Sequence, residues 1–233
     1  MDAAGGAAGA GGRGVTGLRV LVVDDQELFR EAIAVMLVRD PRIAEVATAV
    51  DAHEGIAHVH ARAVDVVLMD IRMPGMDGIT ATREILRLKP ATRILILTTF
   101  DLDAYVLDAI RAGASGFLTK DASPQELGDA IAAVAAGDAA MSARATTALL
   151  GFVREGGPTA DPDAALKPLS RREREVAHAL ATGSSNDEIA RTLFLSENTV
   201  KTHVKAILAK LGLADRVHVV IWAYENGVRQ PGR

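Results

Sequence analysis

Apolar residues in the first half of the chain alternate between two patterns. Short continuous apolar runs at Leu18–Val23, Ile43–Ala49, Val64–Met69, Arg93–Thr98 and Gly116–Thr119 predict strands. Between them, apolar positions recur every three or four residues. Leu28, Ile33, Met36 and Leu37 mark a helix over Gln26–Arg39, stopped by Asp40-Pro41. Ala52–Ala61, Ile79–Leu88 and Asp103–Ala112 read the same way, and Lys89-Pro90 closes the second of these. Ser123-Pro124-Gln125-Glu126 starts a further helix that runs to Ala136, with Ser123 as cap and proline in the first turn. Strands alternating with helices predict an α/β fold with a parallel sheet covered on both faces. Coverage on both faces also explains why the strands are apolar throughout.

The alternation stops near residue 137. Thr146–Arg154 predicts a short helix, and Glu155–Pro168 holds Gly156, Gly157, Pro158, Pro162 and Pro168, the composition of a linker. Helical spacing then returns at Arg171–Ala181, Asn186–Leu193, Glu197–Leu211 and Arg216–Asn226. The organisation expected is a disordered Gly/Ala-rich tail at 1–17, an α/β domain at 18–137, a linker at 138–168, and an all-α four-helix domain at 169–233.

Composition narrows the function. Cysteine is absent, which excludes disulfides, thiolate metal sites and cysteine nucleophiles and fits a cytoplasmic location. No apolar run reaches the ~20 residues of a membrane helix, so no membrane partner is expected. The tail lacks the apolar centre of a signal peptide. The net charge of −4 is uneven: residues 168–233 hold 10 Lys and Arg against 7 Asp and Glu, and residues 1–167 hold 16 against 23. A basic C-terminal part suits an anionic partner such as nucleic acid.

Polar residues gather where the predicted strands end. Asp24 and Asp25 follow the first strand, Asp70 the third, Thr98 ends the fourth, and Lys120 follows the fifth. In open α/β sheets this carboxyl edge is where ligands bind. Three crowded carboxylates suit a hard divalent cation, Mg2+ or Mn2+. Such a cation beside Asp70 would neutralise an incoming phosphoryl group, and an aspartate can act as nucleophile toward phosphorus. Asp24 or Asp25 could instead cap the helix that follows.

These positions, with Val22-Val23-Asp24-Asp25 and Leu68-Met69-Asp70-Ile71-Arg72-Met73-Pro74-Gly75-Met76-Asp77-Gly78, resemble the CheY-like receiver domain over about residues 18–137. The resemblance implies a five-stranded doubly wound sheet of order 2-1-3-4-5. It implies Asp70 as phosphoacceptor. Asp25, Asp70 and the backbone carbonyl of Arg72 would hold the metal, with Asp24 acting through water. Lys120 and Thr98 would bind the phosphoryl oxygens, and Thr98 would form a switch pair with Phe117. Because Phe117 carries no hydroxyl, its part in switching would be steric.

In the C-terminal part, Glu197–Leu211 presents two faces. Val200, Val204, Ile207 and Leu211 form a core stripe, while Asn198, Lys201, Thr202 and Lys205 lie together on another face. A short helix, a tight turn and this longer helix form the layout of a helix-turn-helix, whose second helix enters the major groove. The strings Leu169-Ser170-Arg171-Arg172-Glu173-Arg174-Glu175-Val176, Ser185-Asn186-Asp187-Glu188-Ile189-Ala190 and Ser196-Glu197-Asn198-Thr199-Val200-Lys201-Thr202-His203 resemble the LuxR-type DNA-binding domain over about residues 166–231. Joined to a receiver, it is similar to the NarL/FixJ class of response regulators. That resemblance implies a sensor histidine kinase as phosphodonor and double-stranded DNA with paired promoter half-sites as target. It implies base contacts from Lys201, Thr202 and Lys205, phosphate contacts from Thr199, and a phosphorylation-dependent homodimer through Arg216–Asn226.

Two other readings compete. A haloacid-dehalogenase-like phosphatase also uses an aspartate nucleophile, but it needs a second aspartate two residues on, where Arg72 stands. A regulator that binds DNA without phosphorylation would not need the acidic cluster. The expectation is therefore a transcription regulator and not an enzyme.

Overall fold

The computed structural model describes residues 17–99, 102–138, 140–141 and 162–228, with only the backbone of 102–104. The expected helix at Thr146–Arg154 and the tail at 1–16 lie outside the described residues.

The N-terminal half is a parallel sheet of order β2-β1-β3-β4-β5-β6. Its strands are β1 (Leu18–Val23), β2 (Ile43–Ala49), β3 (Val66–Asp70), β4 (Arg93–Thr98), β5 (Gly116–Thr119) and β6 (Ala140–Met141). The connecting helices are α1 (Glu27–Leu37), α2 (Ala52–Ala61), α3 (Gly78–Leu88), α4 (Leu102–Arg111) and α5 (Pro124–Ala136). One buried apolar cluster lies on each face of the sheet, so β3 is buried along its whole length. Helix α5 starts with Pro124 behind a reciprocal Ser123–Glu126 capping box, as the sequence predicts.

The sixth strand corrects the five-stranded expectation. After α5, Gly137 turns the chain through a left-handed conformation (φ 88°), and Ala140–Met141 pairs with β5 inside the stretch read as linker. Gly116 permits this, because a Cβ there would lie 2.6 Å from the Ala140 carbonyl oxygen. The short strand covers the edge that β5 would otherwise leave bare.

The C-terminal half is helical: α6 (Pro162–Leu166), α7 (Arg171–Ala181), α8 (Asn186–Leu193), α9 (Glu197–Leu211) and α10 (Arg216–Glu225). Four of these match the sequence expectation. The fifth, α6, sits in the predicted linker because Pro162 can open a helix. Its Leu166 joins Leu169, Val176, Leu180, Ile189, Val200, Ile207 and Val219 in one core. Capping boxes at Ser170–Glu173 and Ser185–Glu188 fix the starts of α7 and α8.

Candidate functional site

The sheet carries its polar residues to one edge. Asp70 is the last residue of β3, which lies between β1 and β4, so its carboxylate faces the ends of both neighbours. Gly78 keeps the β3–α3 loop tight: its N–H donates to the Ile71 carbonyl at 2.9 Å, and a Cβ there would strike the Asp70 carbonyl oxygen at 1.9 Å. Asp24 and Asp70 are 1% and 4% exposed, whereas Asp25 is open to solvent. One oxygen from each of the three lies within 4.8 Å of the others. Asp24 does brace the turn into α1, since its Oδ1 accepts the Gln26 N–H at 2.9 Å, but Gln26 itself is the N-cap.

Lys120 enters from the end of β5. Its Nζ lies 2.6 Å from Asp24 Oδ2 and 3.0 Å from Asp70 Oδ2, with only 6% of the side chain exposed. The ammonium is thus ion-paired with both carboxylates at once, out of reach of bulk water. Burial pushes the Asp70 carboxyl above its usual value, Lys120 pulls it back, and Asp24 pushes it up again. Three carboxylates against one ammonium leave excess negative charge in a pocket that opens to solvent at Asp25. A hard divalent cation with oxygen preference fits that donor set, and the ammonium beside Asp70 fits an incoming phosphoryl oxygen.

Thr98 ends β4, is buried, and its carbonyl accepts the Lys120 N–H at 2.8 Å. Phe117 is fully buried in the core beside β4, paired with Ile96. The Arg72 guanidinium stands 5.6 Å from the ring centroid of Tyr105 on α4. A cavity of about 730 Å3 opens beside Asp25, walled by Arg72, Pro74, Asp77, Arg83 and Tyr105.

On α9, Asn198, Lys201, Thr202 and Lys205 are all exposed, while Val200, Val204 and Ile207 are buried. Thr199 stands apart from this face. It is half-buried, and its hydroxyl lies 2.8 Å from that of the N-cap Ser196. Far along the helix, Lys210 Nζ is 2.6 Å from Glu173 Oε2 on α7. That bond, with the Ser170 cap, holds the Glu173 carboxyl down at about 2. Phe194, in the left-handed region at φ 55°, makes the turn between α8 and α9.

The last helix touches the first domain. Val217 and Ile221 of α10 belong to the same buried cluster as Val106, Ala109 and Ile110 of α4, with Tyr224 against it. Arg93 donates to the Ala214 carbonyl at 2.7 Å. His218 Nε2 lies 2.8 Å from the Ile110 carbonyl oxygen, and its Nδ1 lies 2.8 Å from Asp215 Oδ1. Both ring nitrogens therefore face acceptors, the arrangement of an imidazolium. Burial alone would lower this histidine, but Asp215 and the Ile110 carbonyl hold it above its usual value. Sequence reasoning placed no residue at this contact, nor did it single out Phe29 and Arg30 of α1, which border the acidic pocket. A helical histidine three residues from an aspartate was the visible signal for His218.

The comparisons agree with this geometry. The profile described as "Response regulator receiver domain" matches residues 20–132, and "Bacterial regulatory proteins, luxR family" matches 167–223. The transcriptional regulatory protein YxjL of Bacillus subtilis is 39% identical over 91% of this chain and 98% of its own length. The DNA-binding transcriptional activator DevR/DosR of Mycobacterium tuberculosis is 38% identical over 92% and 98%. A LuxR-family two-component response regulator from Aurantimonas sp. SI85-9A1 is structurally similar with TM-score 0.55 and 40% identity, over 58% of this chain and 97% of that one.

Proposed function

The chain belongs to the two-component response regulators that join a receiver to a LuxR-type DNA-binding domain, and from that membership we propose that phosphorylation of Asp70 controls DNA binding through the hold of the receiver on α10. Relatives of this kind are transcription regulators, which removes the phosphatase alternative. The observation that carries the reading is the buried Lys120 ammonium, paired at once with the carboxylates of Asp24 and Asp70.

The receiver comprises about residues 18–137 with the added strand Ala140–Met141, and the DNA-binding unit about 169–233 with Pro162–Leu166 packed on its core. The donor is a sensor histidine kinase in the cytoplasm. An Asp70 carboxylate oxygen attacks the phosphorus of the donor phosphohistidine; the P–O bond forms, the P–N bond breaks, and the released imidazole takes a proton. Mg2+ or Mn2+ held by Asp24, Asp25, Asp70 and the Arg72 carbonyl would supply charge neutralisation for the phosphoryl group. Lys120 turns its donors to the new oxygens, the Thr98 hydroxyl follows, and Phe117 repacks into the space Thr98 leaves. Helix α4 follows β4 directly, so movement at Thr98 reaches the Ile110 carbonyl and the His218 contact. Released, α10 pairs with that of a second copy, and the homodimer reads two half-sites with Asn198, Lys201, Thr202 and Lys205 toward the groove and Thr199 near the phosphates.

The test is DNA affinity with and without acetyl phosphate and Mg2+, on a duplex selected from random sequences. Affinity should rise with the phosphodonor; equal affinity in both conditions would overturn phosphorylation control. A second expectation concerns the hold on α10. Arg93→Ala combined with His218→Gln removes the charged donors of two interdomain hydrogen bonds. Each charged bond contributes about 1.5–3 kcal/mol, so the unphosphorylated variant should bind DNA roughly 10-fold tighter or more. Unchanged affinity would place control elsewhere.

A further inference from the structure

Helix α1 contributes more to the acidic pocket than a wall. Arg30 Nη1 donates to the Asp24 carbonyl oxygen at 2.7 Å, which ties the first turns of α1 to the end of β1. That tie brings the half-buried Phe29 ring to 4.7 Å, centroid to Nζ, from Lys120. The ammonium thus has three neighbours: Asp24 at 2.6 Å, Asp70 at 3.0 Å, and an aromatic ring.

We infer that Phe29 is a positioning residue for phosphoryl transfer, its ring face holding the Lys120 ammonium where it meets the phosphoryl oxygens; this rests on Asp70 being the acceptor. The physical case has three parts. Lys has a flexible stem and three rotatable donors, so its head needs an anchor to stay in place. The two carboxylates are poor anchors for this task, because one becomes the acyl phosphate and the other draws the ammonium away from it. An aromatic face attracts the cation through its quadrupole and has no lone pair to take its donors. The ring therefore leaves to the incoming oxygens the donors that the carboxylates do not hold, and keeps water from taking them.

An aliphatic side chain of similar size would fill the same space without the quadrupole, which makes the two roles separable. In the full-length protein, Phe29→Leu should slow phosphorylation by acetyl phosphate at saturating Mg2+ by roughly 2- to 30-fold, the range of cation–π attraction from exposed to desolvated sites. Phe29→Tyr should restore the rate. Stepwise fluorination of the ring at position 29 should lower the rate with each fluorine, at an unchanged melting temperature. A Phe29→Leu rate at or above the parent rate would overturn the inference, and if Phe29→Leu fails to fold, a rate insensitive to fluorination would overturn it alone. If the parent protein takes no phosphoryl group at Asp70, the underlying reading fails instead. If it does, and the position-29 variants all match it, only the role of Phe29 fails.

Discussion

Asp70→Asn is expected to take up no phosphoryl group from acetyl phosphate or from a phosphorylated histidine kinase. The amide is nearly the same size and shape but carries no anionic oxygen to attack phosphorus. Neither neighbour can stand in for it. Asp24 is 1% exposed, with Oδ1 accepting from Gln26 and Oδ2 against Lys120. Asp25 is exposed and precedes α1 instead of ending a central strand. The substitution also removes a buried charge whose pKa burial raises, so the variant should melt at or above the parent temperature. Intact mass after incubation with the phosphodonor is the measurement. The parent should gain one phosphoryl group and the variant none, and its DNA affinity should stop responding to the phosphodonor. Normal uptake by Asp70→Asn would refute the assignment of the acceptor.

The acidic pocket was legible in the sequence because its parts are set by strand ends. Where an apolar run stops, the next residue emerges at the sheet edge, so Asp24, Asp70, Thr98 and Lys120 could be placed without knowing the packing. The polar face of α9 was legible for a related reason, since helical periodicity alone separates Lys201 and Lys205 from Val200 and Val204. What stayed hidden depends on where elements meet. Ala140–Met141 is too short to register as a strand by pattern and exists through pairing with β5. Leu166 sits among prolines that suggest a linker, and only its burial against the helical core reveals α6. The Arg93 and His218 contacts join residues more than a hundred positions apart. Phe29 lies next to the expected site residues, yet nothing in hydropathy distinguishes a ring facing an ammonium from one facing a core. The contact between the Thr199 hydroxyl and that of the N-cap Ser196 is likewise set by the local turn into α9 and not by hydropathy.

Lys201→Ala together with Lys205→Ala is expected to weaken DNA binding severely. Both residues lie on the exposed side of α9, opposite the buried Val200, Val204 and Ile207. The α9 scaffold that presents them is firmly held: Ser196 accepts the Thr199 N–H at 3.1 Å at one end, and Lys210 pairs with Glu173 at the other. Their removal should therefore leave the melting temperature unchanged and act on the DNA contact alone. If the two lysines read base edges, each contributes about 1–3 kcal/mol, and affinity for a selected site should fall roughly 30- to 20,000-fold. If they hold phosphates instead, affinity should fall alike for selected and random duplexes, with the salt slope smaller by about 0.9 per lysine. Fluorescence anisotropy at two salt concentrations on both duplexes separates these outcomes, and unchanged affinity on both duplexes would sink the recognition face. The same face is exposed while α10 rests on α4, so the double substitution should weaken binding with or without the phosphodonor, whereas Asp70→Asn should remove only the gain that the phosphodonor brings.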